Sequence, residues 1–333
     1  MTRIVVLAGG VGGARFLRGV REEARRRFPD GSGGTTAAIA AIVNTGDDAW
    51  LAGLRITPDL DSIMYTLAGV NDEQRGWGRL GESERVSAEL REYGVGWPWF
   101  TLGDLDLGTH IARTSWLRDG LRLSAAVERL TRRWDLGGVR LLPATDDEVE
   151  THVRVRDGDV DRELHFQEWW TRYRAALPAR AFVQRGVEAA QPAPGVLDAI
   201  ASADAILLAP SNPVVSIGTV LGIPGLRQAV TGASAPIVGV SPIIGGAVVR
   251  GMADACLAAI GVETSAAAVA EHYGRRGRGG LLDGWLVDDR DAESMAAVAA
   301  SEIAVSSLPL LMRDADTSAA IAAAALDLAG VHR

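Results

Sequence analysis

Short apolar runs recur along the chain, and each ends in a polar or glycine-rich stretch. RIVVLA (3–8) ends in glycines, AAIAAIV (37–43) in NTGDD, DAILLA (204–209) in PSNP, and APIVGV (235–240) in SP. These runs are continuous rather than alternating, which is what a parallel sheet covered on both faces requires. Helical patterns fill the intervals at 14–27, 191–202, 216–230 and 251–260. Strand and helix in alternation predict an α/β fold, a Rossmann-like, doubly wound and mostly parallel sheet. Ligands of such sheets sit beyond the carboxyl ends of the strands, so the loops just named are the candidate site.

The stretch 71–180 has a different texture. It is richer in charge and holds seven of the nine tryptophans, in RGWGRL, GWPWF, TSWL, RRWD and QEWW. Helical patterns at 83–93 and 124–134 dominate, and 148–156 alternates like an exposed strand. We read it as a mainly helical, Trp-rich insertion lying over the ligand edge and not a separate linker-joined domain. The Rossmann-like core is then 1–70 with 181–333, closed by an Ala-rich helix at 315–330.

Composition narrows the chemistry. At 333 residues with a net charge of −8, the chain has no basic surface for nucleic acid. Its single cysteine, Cys256, allows neither an internal disulfide nor a cysteine metal cage. No apolar run is long enough to span a bilayer, and no leader pattern opens the chain, so a cytoplasmic protein is expected.

LAGGVGGARF (7–16) leads from a strand into a helix, the setting in which backbone N–H groups meet a phosphate. The dinucleotide spacing G-x-G-x-x-G gives Gly10 and Gly12 but places Arg15 at the third glycine, and no Gly-Lys-Ser/Thr follows. The stretch is therefore a phosphate cradle of another type, or a tight structural turn. Arg15 either adds a guanidinium to a phosphate or is exposed. NTGDDAW (44–50) and PDLDSIMY (58–65) put Asp47, Asp48, Asp59 and Asp61 near one rim. Carboxylates beside a phosphate cradle repel the ligand unless a cation intervenes, and Mg²⁺ takes oxygen ligands of this kind. Helix capping is the alternative use of such aspartates, and Asp104 with Asp106 or Asp146 with Asp147 are competing acidic sets. A zinc site is not expected: the five histidines form no His-x-x-x-His, and His165 has only Glu168 nearby in sequence. In LAPSNPVVSIG (208–218), Ser211 and Asn212 can reach a phosphate, Pro213 fixes the turn and Ser216 can cap the next helix. No G-x-S-x-G elbow or Ser-His-Asp triad is readable.

LAGGVGGARF, NTGDDAW, PDLDSIMYTL, LGDLDLGTH, LLPATDD, HFQEWW, LAPSNPVVSIG and SPIIGG occur in this order. The series closely resembles the 2-phospho-L-lactate transferases of coenzyme F-420 biosynthesis, in particular their actinobacterial form. That resemblance implies a Rossmann-like, Mg²⁺-dependent homodimer acting on the deazaflavin FO. The donor is enolpyruvyl-diphospho-guanosine, or its lactyl analogue, and GMP leaves as dehydro-F-420-0 or F-420-0 forms. It also implies roles by position. Gly10, Val11, Gly12, Gly13, Ser211, Asn212, Pro213 and Ser216 would hold the GDP part of the donor. Asp47, Asp48 and Asp61 would hold the metal, with Asp47 and Asp61 catalytic. Asn44, Thr45, Met64, Trp77 and His165 would meet substrate. Two rivals stand beside it. A non-catalytic nucleotide-sugar-binding regulator has no need of a tryptophan-rich acceptor pocket. A nicotinamide dehydrogenase fits poorly with Arg15 and the paired aspartates.

Overall fold

The computed structural model describes residues 1–332; Arg333, the last residue of the second core segment, lies outside them. β1 (Arg3–Ala8) is buried throughout after its first residue. It pairs in parallel with β2 (Ala38–Val43), from Arg3 opposite Ala38 to Ala8 opposite Val43. Seven strands form the sheet in the order 304–307, 284–287, 237–240, 205–208, β1, β2, 139–143. Every neighbouring pair is parallel. Alternate residues of β1 feed different cores: Ile4, Val6 and Ala8 face one layer, Val5 and Leu7 the other. α1 (Gly10–Arg27), α2 (Pro58–Ala68) and the helix Ala315–Leu328 cover the first face. Helices at 196–201, 218–222, 226–232 and 266–273 cover the second. This is the doubly wound α/β architecture that the apolar runs predict. Chain order reverses direction between β1 and the strand Ala205–Leu208, and a crevice at such a reversal is where these sheets bind ligands.

Three details differ from the sequence reading. α1 starts at Gly10, four residues before the expected start, so the glycines form its first turn and not a loop. The single helix expected over 216–230 is two pieces, Pro213–Gly222 and Leu226–Gly232, bent by 91°. Pro224 has no N–H to continue the helix, and Gly225 takes φ +87°, a left-handed conformation that suits glycine. The stretch 71–180 is also not one inserted body. Its helices Arg85–Glu92, Asp104–Arg118 and Leu123–Thr131 are followed by Val139–Pro143, which pairs with β2 at the edge of the central sheet. Beyond that strand, Glu150–Asp157 is the middle of a three-stranded antiparallel sheet with Val160–His165 and Ala179–Arg185. Among the described residues no single helix is long and apolar enough to cross a membrane.

Candidate functional site

A cavity of about 670 Å³ opens at the strand reversal. Its floor is the start of α1, where Gly9 stands at the helix N-cap and no side chain caps the helix. The turn is locked to the 209–216 loop. Ser211 Oγ donates to the Gly9 carbonyl at 2.7 Å and accepts the Gly9 N–H at 3.1 Å. A Cβ at Gly12 would fall 2.6 Å from the Pro210 carbonyl oxygen, and one at Gly13 2.9 Å from both Ala8 Cβ and Ser211 Oγ. These glycines are thus required by chain-to-chain approach, while the open N-terminus leaves N–H groups and partial positive charge facing the cavity. Asn212, not Ser216, caps the next helix: its Oδ1 accepts the Val214 and Val215 N–H groups. The Nδ2 of Asn212 is a buried donor with no oxygen or nitrogen acceptor, only the Cys256 thiol beside the amide, and its residue lines the cavity with Ser211 and Ser216. Gly10, Val11 and Gly12 line it as well. Gly13 and Pro213 do not: one is packed beneath the turn, the other buried behind the loop.

Buried carboxylates line the cavity too, and one of them, Asp59, lies against Gly9 and Gly10. Asp47, Asp59, Asp61 and Asp106 all line the cavity. Asp47 Oδ1 has no partner, and burial raises its pKa well above the usual range, with Asp59 and Asp48 adding repulsion. Burial likewise pushes Asp59 up to about 6, although the Asn44 amide donates to its Oδ2 at 2.9 Å and the Gly10 N–H supports it. Asp59 thus takes up part of the α1 N-terminus, but neither carboxylate has a cation beside it.

A second acid group is built differently. Asp61 pairs with the fully buried guanidinium of Arg113 and accepts the Thr57 hydroxyl at 3.3 Å. Asp106 accepts the Tyr65 hydroxyl at 2.7 Å. His110 sits between them, Nδ1 3.5 Å from Asp61 and Nε2 3.3 Å from Asp106. Asp61, Asp106 and His110 are close enough together to hold a metal ion. Burial alone would raise Asp106, yet His110, Tyr65 and Arg113 keep it below the usual range. Burial does raise Asp61, against the pull of Arg113 and His110.

The remaining expected residues fall outside the cavity wall. Asp48 does not line the cavity; it meets Arg55 Nη2 at 3.5 Å, both side chains buried. Asn44 does not line the cavity itself but hydrogen-bonds two carboxylates that do, Asp59 and Asp47. Thr45 is buried in the turn and its carbonyl accepts the Asp48 N–H. Met64 belongs to the core under the sheet, 2 % exposed, on the face of α2 turned from the cavity. His165 packs near Trp97 and His152, and its Nδ1 accepts the Gln167 N–H. Its neighbours Phe166, Gln167 and Trp170 take the place on the wall, together with Trp77 and Trp99. The sequence reading missed Tyr65, His110 and Arg113. Helical spacing carried the signal: Asp61 and Tyr65 are i,i+4, and Asp106, His110 and Arg113 follow at i+4 and i+7 on one face.

Comparison with known proteins follows the same lines. The family described as 2-phospho-L-lactate transferase CofD matches residues 4–315. A phosphoenolpyruvate transferase of Thermobifida fusca (strain YX) is 58% identical over 327 residues, 98% of each chain. One from Streptomyces coelicolor (strain ATCC BAA-471 / A3(2) / M145) is 55% identical over the same share. A crystal structure of a UPF0052 family member from Bacillus halodurans superposes with a TM-score of 0.64 at 16% identity, covering 98% of both chains. That last likeness shows the fold alone. Family profile and relatives span nearly all of this chain, which therefore belongs to the 2-phospho-L-lactate transferase CofD family.

Proposed function

We propose that this transferase moves a phosphoenolpyruvyl group, or its phospholactyl counterpart, from a guanosine-diphosphate-activated donor to the terminal hydroxyl of the deazaflavin FO. The names of the relatives support the transferred group. One observation supports the donor: around a single cavity stand the α1 N-terminus, the Asn212 amide and two buried carboxylates, Asp47 and Asp59, with no cation beside them. A diphosphate with a divalent cation satisfies both sides at once.

In this reading the donor's diphosphate lies on the first turn of α1, whose N–H groups and the Asn212 Nδ2 orient it. Asp47 and Asp59 fit a divalent cation such as Mg²⁺, since Asp47 Oδ1 is orphaned and the pair is uncompensated. Asp61 is already engaged by Arg113 and fits less well. Bound Mg²⁺ supplies charge neutralisation of the phosphates during transfer. The FO hydroxyl oxygen forms a new bond to the phosphorus next to the three-carbon acid. The bond from that phosphorus to the bridging oxygen breaks, and GMP leaves with the electron pair. Asp61, fixed by Arg113, accepts the hydroxyl's hydrogen bond as the proton departs. A phosphate leaving group makes a strong base unnecessary, so positioning accounts for most of the rate. The Trp77, Trp99 and Trp170 side of the cavity gives the flat FO ring an aromatic wall. The reading includes a homodimer, checked by sedimentation.

The test is to incubate the purified enzyme with FO, the guanosine donor and Mg²⁺ and to follow products by mass spectrometry. GMP and the phospho-acid ester of FO are expected in equal amounts. A bound nucleotide-sugar without turnover, or bound NAD, would overturn the reading.

A further inference from the structure

Arg15 stands on the wall of the same cavity and has no task in the scheme above. It follows Val11 by one turn of α1, and both line the cavity. Its guanidinium is partly buried, yet its hydrogen bond is a long one, 3.4 Å to the Met312 carbonyl. Glu73, the nearby acid, is held by Arg18 at 2.7 Å. Arg250 joins Arg15 on this wall from the 245–252 loop, and its Nη2 donates to the Arg75 carbonyl at 3.2 Å. Among the described residues neither Arg15 nor Arg250 has a carboxylate within ion-pair distance. The Arg250 guanidinium lies against Gly76, which takes φ +79°. Burial lowers the Arg15 pKa; Glu73 opposes that, while Arg250 and Arg18 add to it. Arg250, although exposed, is near enough to Arg15 to repel it, and an anion between the two guanidiniums would relieve that repulsion.

We infer that Arg15 and Arg250 form an anion subsite that takes the carboxylate of the three-carbon acid on the donor. This rests on the donor reading given above. The cavity is divided by charge. The carboxylate wall of Asp47, Asp59, Asp61 and Asp106 repels an acid, while the diphosphate occupies the helix N-terminus. The free carboxylate of the transferred group has only the arginine side left, and planar guanidinium forks match carboxylate oxygens. The subsite gives the enzyme a means of choosing an acid-bearing diphosphate over GDP or a neutral ester.

Calorimetry on the intact enzyme with Mg²⁺ tests this, using GDP, the lactyl-diphospho-guanosine acid and its carboxyl methyl ester as probes. Wild type is expected to bind the acid roughly tenfold more tightly than the ester. Arg15→Gln and Arg250→Gln should each erase that preference and leave GDP affinity within about twofold, and Arg15→Lys should retain part of it. Arg250 is exposed, so its variant keeps the test alive if Arg15→Gln fails to fold. Equal binding of acid and ester by wild type would overturn the inference. So would a loss of GDP affinity as large as the loss for the acid, which would assign the guanidiniums to a nucleotide phosphate. If wild type binds none of the three guanosine ligands, the donor reading itself falls.

Discussion

Asp47 and Asp61 share a cavity, and their surroundings demand opposite responses to the same substitution. Asp47 is buried without a counter-charge and beside two other carboxylates. Asp47→Asn removes that charge, so the metal-free protein should keep its stability or gain about 1 kcal/mol. Turnover should nevertheless fall by at least about a hundredfold, the scale of losing one electrostatic group at a transferring phosphate. Asp61→Asn leaves the fully buried Arg113 unpaired and should cost about 3–5 kcal/mol in urea unfolding. An Asp61→Asn protein as stable as wild type would remove the distinction. Asp59 adds a pH signature. Burial places it at about 6 in the folded state, against roughly 3.9 for a free aspartate. A carboxyl raised on folding contributes stability that is complete below the unfolded value and lost as pH rises through the folded one. From pH 7 down toward 4 the metal-free protein should therefore gain on the order of 3 kcal/mol from this group. Asp59→Asn should flatten that part of the profile in unfolding titrations, and a profile unchanged by the substitution would show that Asp59 titrates normally.

At the scale of elements, the start of α1 and the 209–216 loop act as one unit. Gly12→Val cannot serve as a clean probe of phosphate binding, because its side chain meets the Pro210 carbonyl before any ligand. It should lower stability and nucleotide affinity together, by about 1–3 kcal/mol in unfolding. Asn212→Asp separates the two. The cap to Val214 and Val215 uses Oδ1, which aspartate retains, whereas the buried Nδ2 donor becomes a negative oxygen. Stability should hold within about 1 kcal/mol while GDP affinity drops roughly tenfold or more, both measured on one preparation. An unchanged GDP affinity would take the nucleotide away from this loop. The elements were legible where residue chemistry is local. RIVVLA, AAIAAIV, DAILLA and APIVGV are strands because both faces of the sheet are covered. The glycine run predicts a loop because glycine is a poor helix former; the close approach of Pro210 and Ser211, which only glycine admits, is what the fold adds there. The helix over 216–230 was overextended because its apolar period runs through Pro224 and Gly225.

At the scale of the whole molecule, what decides the site is strand order, and strand order is not a property of any local stretch. Gly9 and Ser211 bond to each other across 202 residues of sequence, and the acid wall gathers α2 with the Asp104–Arg118 helix. Val139–Pro143 is not legible as a core strand because its charged surroundings resemble the rest of 71–180. The tryptophans were legible as a group but not one by one. Trp169 is fully buried and its Nε1 donates to the Leu177 carbonyl at 2.8 Å; Trp285 is buried in the core behind the sheet. Trp77 is 40% exposed, lines the cavity and has the Arg75 guanidinium 3.8 Å from its ring centroid, so one face is covered and the other is open to a ligand. Ring stacking on a base is worth about 1–3 kcal/mol. Trp77→Ala should thus raise the KM for the proposed FO acceptor roughly tenfold and leave that for the donor unchanged. It should also remove part of the tryptophan quenching seen on titrating FO. Trp169→Ala should instead lower stability by about 3–5 kcal/mol, whatever it does to binding. If Trp77→Ala changes neither constant nor quenching, while Trp99→Ala or Trp170→Ala does, the acceptor ring stacks on one of those two rings and Trp77 only braces Arg75.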